Sequence, residues 1–279
     1  MSVERYRALS PGHGAWRLSN RALRPFPGLS DSGLKQNNCG FVMHNAVVTL
    51  DPTYDAETQK FWLENSLEAD RRAHAYSTAI SPEWVLHHSG LPWLLLQLQI
   101  PYHDIAKEAL RLLDRFVEHR GGIGRGWRSL CIHGIDEEKT RSARHYGHVE
   151  EDAPYRWTSI ANACPVTTKF IRDSFPLGRL FRVRFMLLEP GGYIAPHRDT
   201  ESNYLSAVNI GITNPLGALF KMRNKGLVPF DAGKAFLLDV GNEHSCVNLS
   251  NEPRIHIIVH GDQPSIEWGN LLLRSYAAI

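Results

Sequence analysis

Beyond Leu180 the chain breaks into short runs of strand-forming residues set apart by tight-turn residues, and this texture narrows the possible folds more than any other feature. Phe181, Val183, Phe185 and Leu187 alternate with Arg182, Arg184 and Met186, the two-residue period of a strand with two distinct faces. Glu189-Pro190-Gly191-Gly192 reads as a turn. Further strands are expected at Tyr193–His197, Ala207–Ile212, Leu219–Arg223, Lys234–Asp239 and Arg254–His260, with a hairpin turn at Asp231-Ala232-Gly233. Short strands at such close intervals predict a mainly β fold, a barrel or a sandwich.

Upstream the texture is different. The first roughly 40 residues are rich in Gly, Pro, Ser and Arg and are expected to form an extended arm on the body. A helix is expected from Ala56 to about Ala73, carrying Trp62, Leu63, Leu67 and Ala69 on a less regular stripe. Ile105, Ala109, Leu112, Leu113, Phe116 and Val117 fall at helical spacing, and Gly121-Gly122 would end that helix. Trp127–Ile135 reads as a strand, 138–157 as a polar loop long enough to be a lid, and Val166–Asp173 as a short helix after Pro165. No Pro/Ser-rich linker divides the chain. The expectation is therefore one domain over 1–279, with 1–125 supplying arm and helical support and 126–279 supplying the β core.

Composition excludes several classes. Hydrophobic residues make up 43% and charged residues 22%, as in an ordinary soluble globular protein, and the net charge of +2 calls for neither nucleic acid nor a membrane surface as partner. The N-terminus lacks the charged-then-apolar design of a signal peptide, and the apolar run from Leu91 to Ile100 is too short to span a bilayer. Cys39, Cys131, Cys164 and Cys246 have no paired spacing and read as reduced thiols of a cytoplasmic protein. With 14 histidines in the chain, a His pair means little unless its position carries the argument.

One constellation has that position. Pro196-His197-Arg198-Asp199 ends an expected strand, so His197 and Asp199 face the same way. His244 lies just beyond the strand Lys234–Asp239, where a small barrel can return the chain to the same mouth. Two histidines and one carboxylate on one face of an iron leave positions open for a chelating co-substrate and O2. Arg254 opens the last apolar strand, among Ile255, Ile257, Ile258 and Val259, and its planar fork suits bidentate capture of a carboxylate. His256 shares its face and is read equally as a core hydrogen-bonding residue or as a contact to co-substrate or substrate.

On these residues the stretch from Arg182 to His260 resembles the aspartyl/asparaginyl β-hydroxylase-like family of Fe(II)/2-oxoglutarate oxygenases. RVRFMLLEPGGYIAPHRD is similar to that family's strand, Pro-Gly turn and proximal ligand segment, and DAGKAFLLDVGNEHSCVNLSNEPRIHIIV to its Gly-Lys hairpin, distal His and co-substrate Arg. The signature is also similar to that of bacterial cis-4-proline hydroxylases. Upstream, TSIANACPVTTKFI resembles the helix before the barrel. The resemblance implies a double-stranded β-helix, a jelly-roll or cupin-like barrel, buttressed by N-terminal helices. It implies Fe(II) on His197, Asp199 and His244, and Arg254 as anchor for the far carboxylate of 2-oxoglutarate. Asn248 would play a supporting hydrogen-bonding role. The implied reaction consumes O2, decarboxylates 2-oxoglutarate to succinate and CO2, and hydroxylates an unactivated C–H. Aspartyl β-hydroxylases proper carry Gly at the carboxylate position, where this chain keeps Asp199. They also carry Arg and His on the following strand, where this chain has Ala207 and Asn209; Asn209 remains a candidate for the C1 carboxylate.

These departures favour a small-molecule substrate, an amino acid or derivative, over a protein or peptide substrate of the Asp/Asn type. A non-catalytic cupin-like binding domain is the reading from another class. Of the remaining residues, one of Arg182 and Arg184 is a candidate to face the interior and bind a substrate carboxylate, against an exposed sheet face for both. Trp127 and Arg128 are placed at the start of a strand near the pocket, with core packing expected of Trp127. His145, His148 and Glu150 are read as a solvated loop, and Cys246 as a packing thiol.

Overall fold

The computed structural model describes residues 54–63, 80–201 and 203–279. The expected N-terminal arm, and the expected helix beyond Leu63, lie outside these residues. The chain runs α1 (Ala56–Leu63), α2 (Pro82–His88), β1 (Trp93–Leu96), α3 (Tyr102–Leu110), a 3-10 turn at Leu113–Arg115, β2 (Val117–Glu118) and β3 (Gly124–Gly134). After a second 3-10 turn at Ala143–Tyr146 come β4 (Arg156–Trp157), α4 (Ser159–Ala163), α5 (Pro165–Ser174) and β5 (Leu177–His197). Then follow β6 (Ala207–Thr213), β7 (Ala218–Met222), β8 (Gly226–Leu227), β9 (Ala235–Leu238), β10 (His244–Asn248), β11 (Arg254–Pro264) and α6 (Ile266–Tyr276).

All strand pairings are antiparallel, and the order is β1-β9-β6-β11-β5-β10-β7-β8, with β3 on the other edge of β5 and β2 and β4 on β3. The long β5 is the hinge of this arrangement. Its first part pairs with β11 from Leu177 to Leu188, and its end pairs with β10 from Tyr193 to His197. The sheet therefore curls about β5 into a double-stranded β-helix. Glu189–Gly192 is a bend inside this strand where a free turn was expected. Gly191 takes φ +69°, and a Cβ on Gly192 would stand 2.8 Å from the carbonyl oxygens of Arg125 and Glu189, so the bend depends on glycine.

Two apolar layers follow from the strand alternation. Val183, Phe185 and Leu187 of β5 join Ile255, Ile257 and Val259 of β11 in an outer core covered by α2, α3, α5 and α6. Met186 and Leu188 join Trp127, Phe220, Phe230 and Phe236 in the inner cluster, inside the curl. Each fully buried aromatic or aliphatic side chain contributes roughly 1.5–3 kcal/mol. The covering helices are built locally. Ser265 caps α6 by accepting a hydrogen bond from Trp268 N, and Trp268, Leu271, Leu272 and Ser275 supply its buried face at i, i+3, i+4 and i+7. The buried Glu108 of α3 accepts from Val166 N, Thr167 N and Thr167 Oγ1 at 2.7–2.9 Å, placing a carboxylate at the N-terminus of α5.

Three expectations are corrected. The helix read through Val117 stops at Leu110, because Val117 and Glu118 pair with Ser129 and Arg128. Asp231–Gly233 is a turn, with Lys234 N bonded to Asp231 O, but it joins β8 to β9, which do not pair with each other; the hairpin reading fails. Support comes also from the C-terminal α6, and β1 enters the sheet well before position 126. Cys131, Cys164 and Cys246 are buried free thiols. No helix among the described residues is long and apolar enough to cross a membrane.

Candidate active site

β5 and β10 lie side by side, and their register sets His197 opposite His244. The two rings are 4.4 Å apart between centroids. Asp199 follows β5, its backbone N bonded to Val240 O. One carboxylate oxygen of Asp199 lies 3.8 Å from His197 Nε2 and the other 3.8 Å from His244 Nε2. The three side chains present ligand atoms within 4.8 Å of one another, the only such group of His, Cys, Asp or Glu among the described residues.

The tautomers are fixed by the backbone. His197 Nδ1 donates to Ala195 O and His244 Nδ1 to Asn242 O, both at 2.8 Å. A carbonyl can only accept, so each Nδ1 carries a proton and Nε2 is the ring nitrogen that faces a metal. Burial, reinforced by His197, holds the His244 pKa down at about 4, so its ring is neutral and ligand-ready. Burial works to raise the Asp199 pKa, but His244, His197 and Arg120 outweigh it and the carboxyl is held below its usual range. The group is thus two imidazoles with Nε2 turned inward and a carboxylate, a donor set that fits a divalent iron.

Arg254 is only 1% exposed. Its Nε donates to Asn214 Oδ1 at 3.2 Å and its Nη1 to His256 Nδ1 at 3.1 Å, while its guanidinium lies over the Phe230 ring at 4.9 Å. Its Nη2 is buried without a hydrogen-bond partner. Burying a guanidinium nitrogen without a partner is costly, and an anionic ligand would answer it. The residue fits a 2-oxoglutarate carboxylate. His256 accepts from Arg254 and is therefore neutral; burial and Arg254 hold its pKa well below normal.

The remaining candidates fall into place around these groups. Asn209 is buried on β6, with a long contact from Nδ2 to Ala207 O at 3.4 Å. Asn248 is structural: its Nδ2 donates to Leu188 O and Glu252 O, and its Oδ1 accepts from Ser250. Arg184 is buried and Arg182 pairs with Glu150 at 3.4 Å, so the exposed-face reading fails for Arg184. Glu150 also accepts from Ala143 N, and His145 contacts Arg141, which leaves the loop reading of that cluster standing. Burial pushes the Cys246 thiol up to about 11, in keeping with packing.

The reading of the sequence missed Arg120. Its Nη1 pairs with Asp199 at 3.2 Å, and its guanidinium lies 5.6 Å from the Trp127 ring centroid. Trp127 in turn stands 6.0 Å from the His197 ring, nearer the site than a core role implied. Arg120 sits just before Gly121-Gly122, which turns the β2–β3 hairpin; reading that Gly pair as a hairpin turn would have found it.

A family description, aspartyl/asparaginyl β-hydroxylase, matches residues 101–264, more than half of the chain. The chain belongs to this family. It is an Fe(II)/2-oxoglutarate-dependent oxygenase. No curated protein matches it. Among solved structures it is similar to a prolyl-4-hydroxylase of Pseudomonas putida, at 14% identity and TM-score 0.36, covering 62% of this chain and 94% of the other. It is similar also to a 2OG-Fe(II) oxygenase-family oxidoreductase of Burkholderia pseudomallei, at 12% identity and TM-score 0.37, covering 55% and 75%. AviO1 of Streptomyces viridochromogenes matches at 16% identity and TM-score 0.36, covering 71% and 100%. None of these distant likenesses bears on the substrate.

Proposed function

We propose that His197, Asp199 and His244 hold Fe(II), that Arg254 anchors the far carboxylate of 2-oxoglutarate, and that the enzyme hydroxylates an unactivated C–H of a small molecule, an amino acid or derivative. Succinate and CO2 are the co-products. The observation that carries this reading is the pairing of a three-ligand group with a buried, unanswered guanidinium inside the same curl. Iron with 2-oxoglutarate and O2 supplies the oxidising chemistry.

The chain's own residues bind, orient and exclude water. Ala195 O and Asn242 O hold both imidazoles with Nε2 toward the metal position. Phe220 stacks on His244 at 5.3 Å, and Trp127 flanks His197, so apolar rings back the ligands. Asn214 and His256 keep two arms of Arg254 occupied and leave the third for the co-substrate. Asn209 is assigned to the near carboxylate of 2-oxoglutarate. The whole of 1–279 is read as a single oxygenase domain.

The small-molecule reading rests on Asp199 and on Ala207 and Asn209, which stand where the aspartyl β-hydroxylases proper have Gly, Arg and His. It is tested by measuring succinate release with Fe(II), 2-oxoglutarate and O2 in the presence of free amino acids or of short peptides. Stimulation by a free amino acid supports it. Stimulation confined to peptides with internal Asp or Asn assigns the enzyme to the peptide branch. A non-catalytic role would show as binding of metal and 2-oxoglutarate without succinate under any addition.

A further inference from the structure

A second buried arginine lies on the inner face of the barrel. Along β5, Val183, Phe185 and Leu187 belong to the outer core, while Met186 and Leu188 belong to the inner cluster with Trp127 and Phe236. Arg184 shares the inner face with Met186 and Leu188 and is 5% exposed. Its Nη1 donates to Thr140 O and its Nη2 to His260 Nε2 at 3.0 Å, while its Nε is buried with no partner. Both partners are neutral: one is a carbonyl, and the other must offer a lone pair. Burial, with Arg182 and Arg184 beside it, keeps His260 unprotonated.

The neighbouring cations are already answered. Arg182 pairs with Glu150 and Arg120 with Asp199. No carboxylate lies within ion-pair distance of Arg184 among the described residues. Burial and Arg182 push its pKa down, yet only to about 9, so it remains a cation at neutral pH. In the strand register Arg184 is opposite Ile258, and Ile258 is opposite Asn209, so two polar side chains flank one apolar residue across roughly 10 Å. A donor needed only to tie down Thr140 O would not have to be charged. The parallel with Arg254 is close: same face, full burial, no acid partner.

We propose that Arg184 anchors a second anion subsite, which takes the carboxylate of the substrate, so that the enzyme oxidises a free acid such as an amino acid. The inference rests on the oxygenase reading above: Arg254 answers the co-substrate, and Arg184 answers the substrate.

The test is ligand binding without turnover. The full chain is loaded with Mn(II) and 2-oxoglutarate in the absence of O2, and its melting temperature and calorimetric affinity are measured for free L-amino acids, their carboxamides and inorganic phosphate. At least one amino acid should raise the melting temperature while its carboxamide does not. Arg184→Gln should weaken that acid by about 100-fold, leave 2-oxoglutarate affinity unchanged, and melt no lower than the parent without ligand. Equal responses to acid and carboxamide, a response to phosphate alone, or no response to any acid while 2-oxoglutarate binds would each overturn the inference. Loss of 2-oxoglutarate affinity in Arg184→Gln would overturn it too, by moving Arg184 to the co-substrate. If Mn(II) and 2-oxoglutarate do not bind the parent, the oxygenase reading itself falls, and the inference with it. Should Arg184→Gln not fold, Arg184→Lys and the acid-against-carboxamide comparison in the unaltered chain decide.

Discussion

His197 and His244 sit opposite each other on β5 and β10, and each ties its Nδ1 to the carbonyl oxygen two residues before it at 2.8 Å. The same local device, used twice, leaves both Nε2 atoms turned to the Asp199 carboxylate. The orientation comes from backbone, so no side-chain substitution elsewhere can remove it without moving the strands.

This arrangement predicts the response to losing a ligand. His244→Ala should weaken Mn(II) or Co(II) binding by more than the roughly 10–100-fold that outer-shell losses cost. Calorimetric titration of the full chain checks it. Unchanged metal affinity would place the metal elsewhere.

Arg254→Gln should separate stability from binding. The change removes a buried cation that lacks an anion, so the unliganded protein should melt within a few degrees of the parent or higher. Affinity for 2-oxoglutarate should fall by about 100-fold or more, because a buried charge pair is lost. Equal affinity in both proteins would contradict the anchor role.

Glu108 makes a prediction about the fold alone. Its carboxylate answers three donors at the start of α5. Glu108→Ala should destabilise the protein by about 3 kcal/mol, since it strands buried N–H groups and a hydroxyl. Urea unfolding of the variant measures this, and a change near zero would mean water serves as well.

Acid should destabilise the protein through its buried histidines. Burial, with nearby arginines, lowers the pKa of His119 to about 2 and those of His256 and His260 well below 6.5. Above pH 6.5 these rings are neutral both folded and unfolded, and stability is complete. Below it the unfolded chain takes up protons that the folded chain refuses, so stability falls by about 1.4 kcal/mol per pH unit for each ring. Urea midpoints taken at about pH 7.5 and about pH 5.5 should differ clearly. A flat profile would mean these rings are not buried neutral.

The strands of the barrel were legible in the sequence because alternation is a local signal: Trp127–Ile135 and Arg254–His260 correspond closely to β3 and β11. The grouping of His197, Asp199 and His244 could be read because the first two are two residues apart on an extended segment. What failed was what depends on distant partners. Leu112 to Val117 has helical spacing, but pairing of Val117 with Ser129 draws it into the sheet. The short β10 carries no alternation of its own beyond a turn, and its register comes from β5 and β7. Arg120 reaches Asp199, 79 positions away in sequence, because the β2–β3 hairpin lies along β5.

The account stands on iron-dependent turnover at this group, and the direct measurement is succinate formed from 2-oxoglutarate by the purified full chain with Fe(II) and O2. The expected result is formation that requires Fe(II) and disappears in His197→Ala, while that variant keeps the parent's melting temperature within a few degrees. Succinate formed equally by His197→Ala, or formed without iron, would contradict the account.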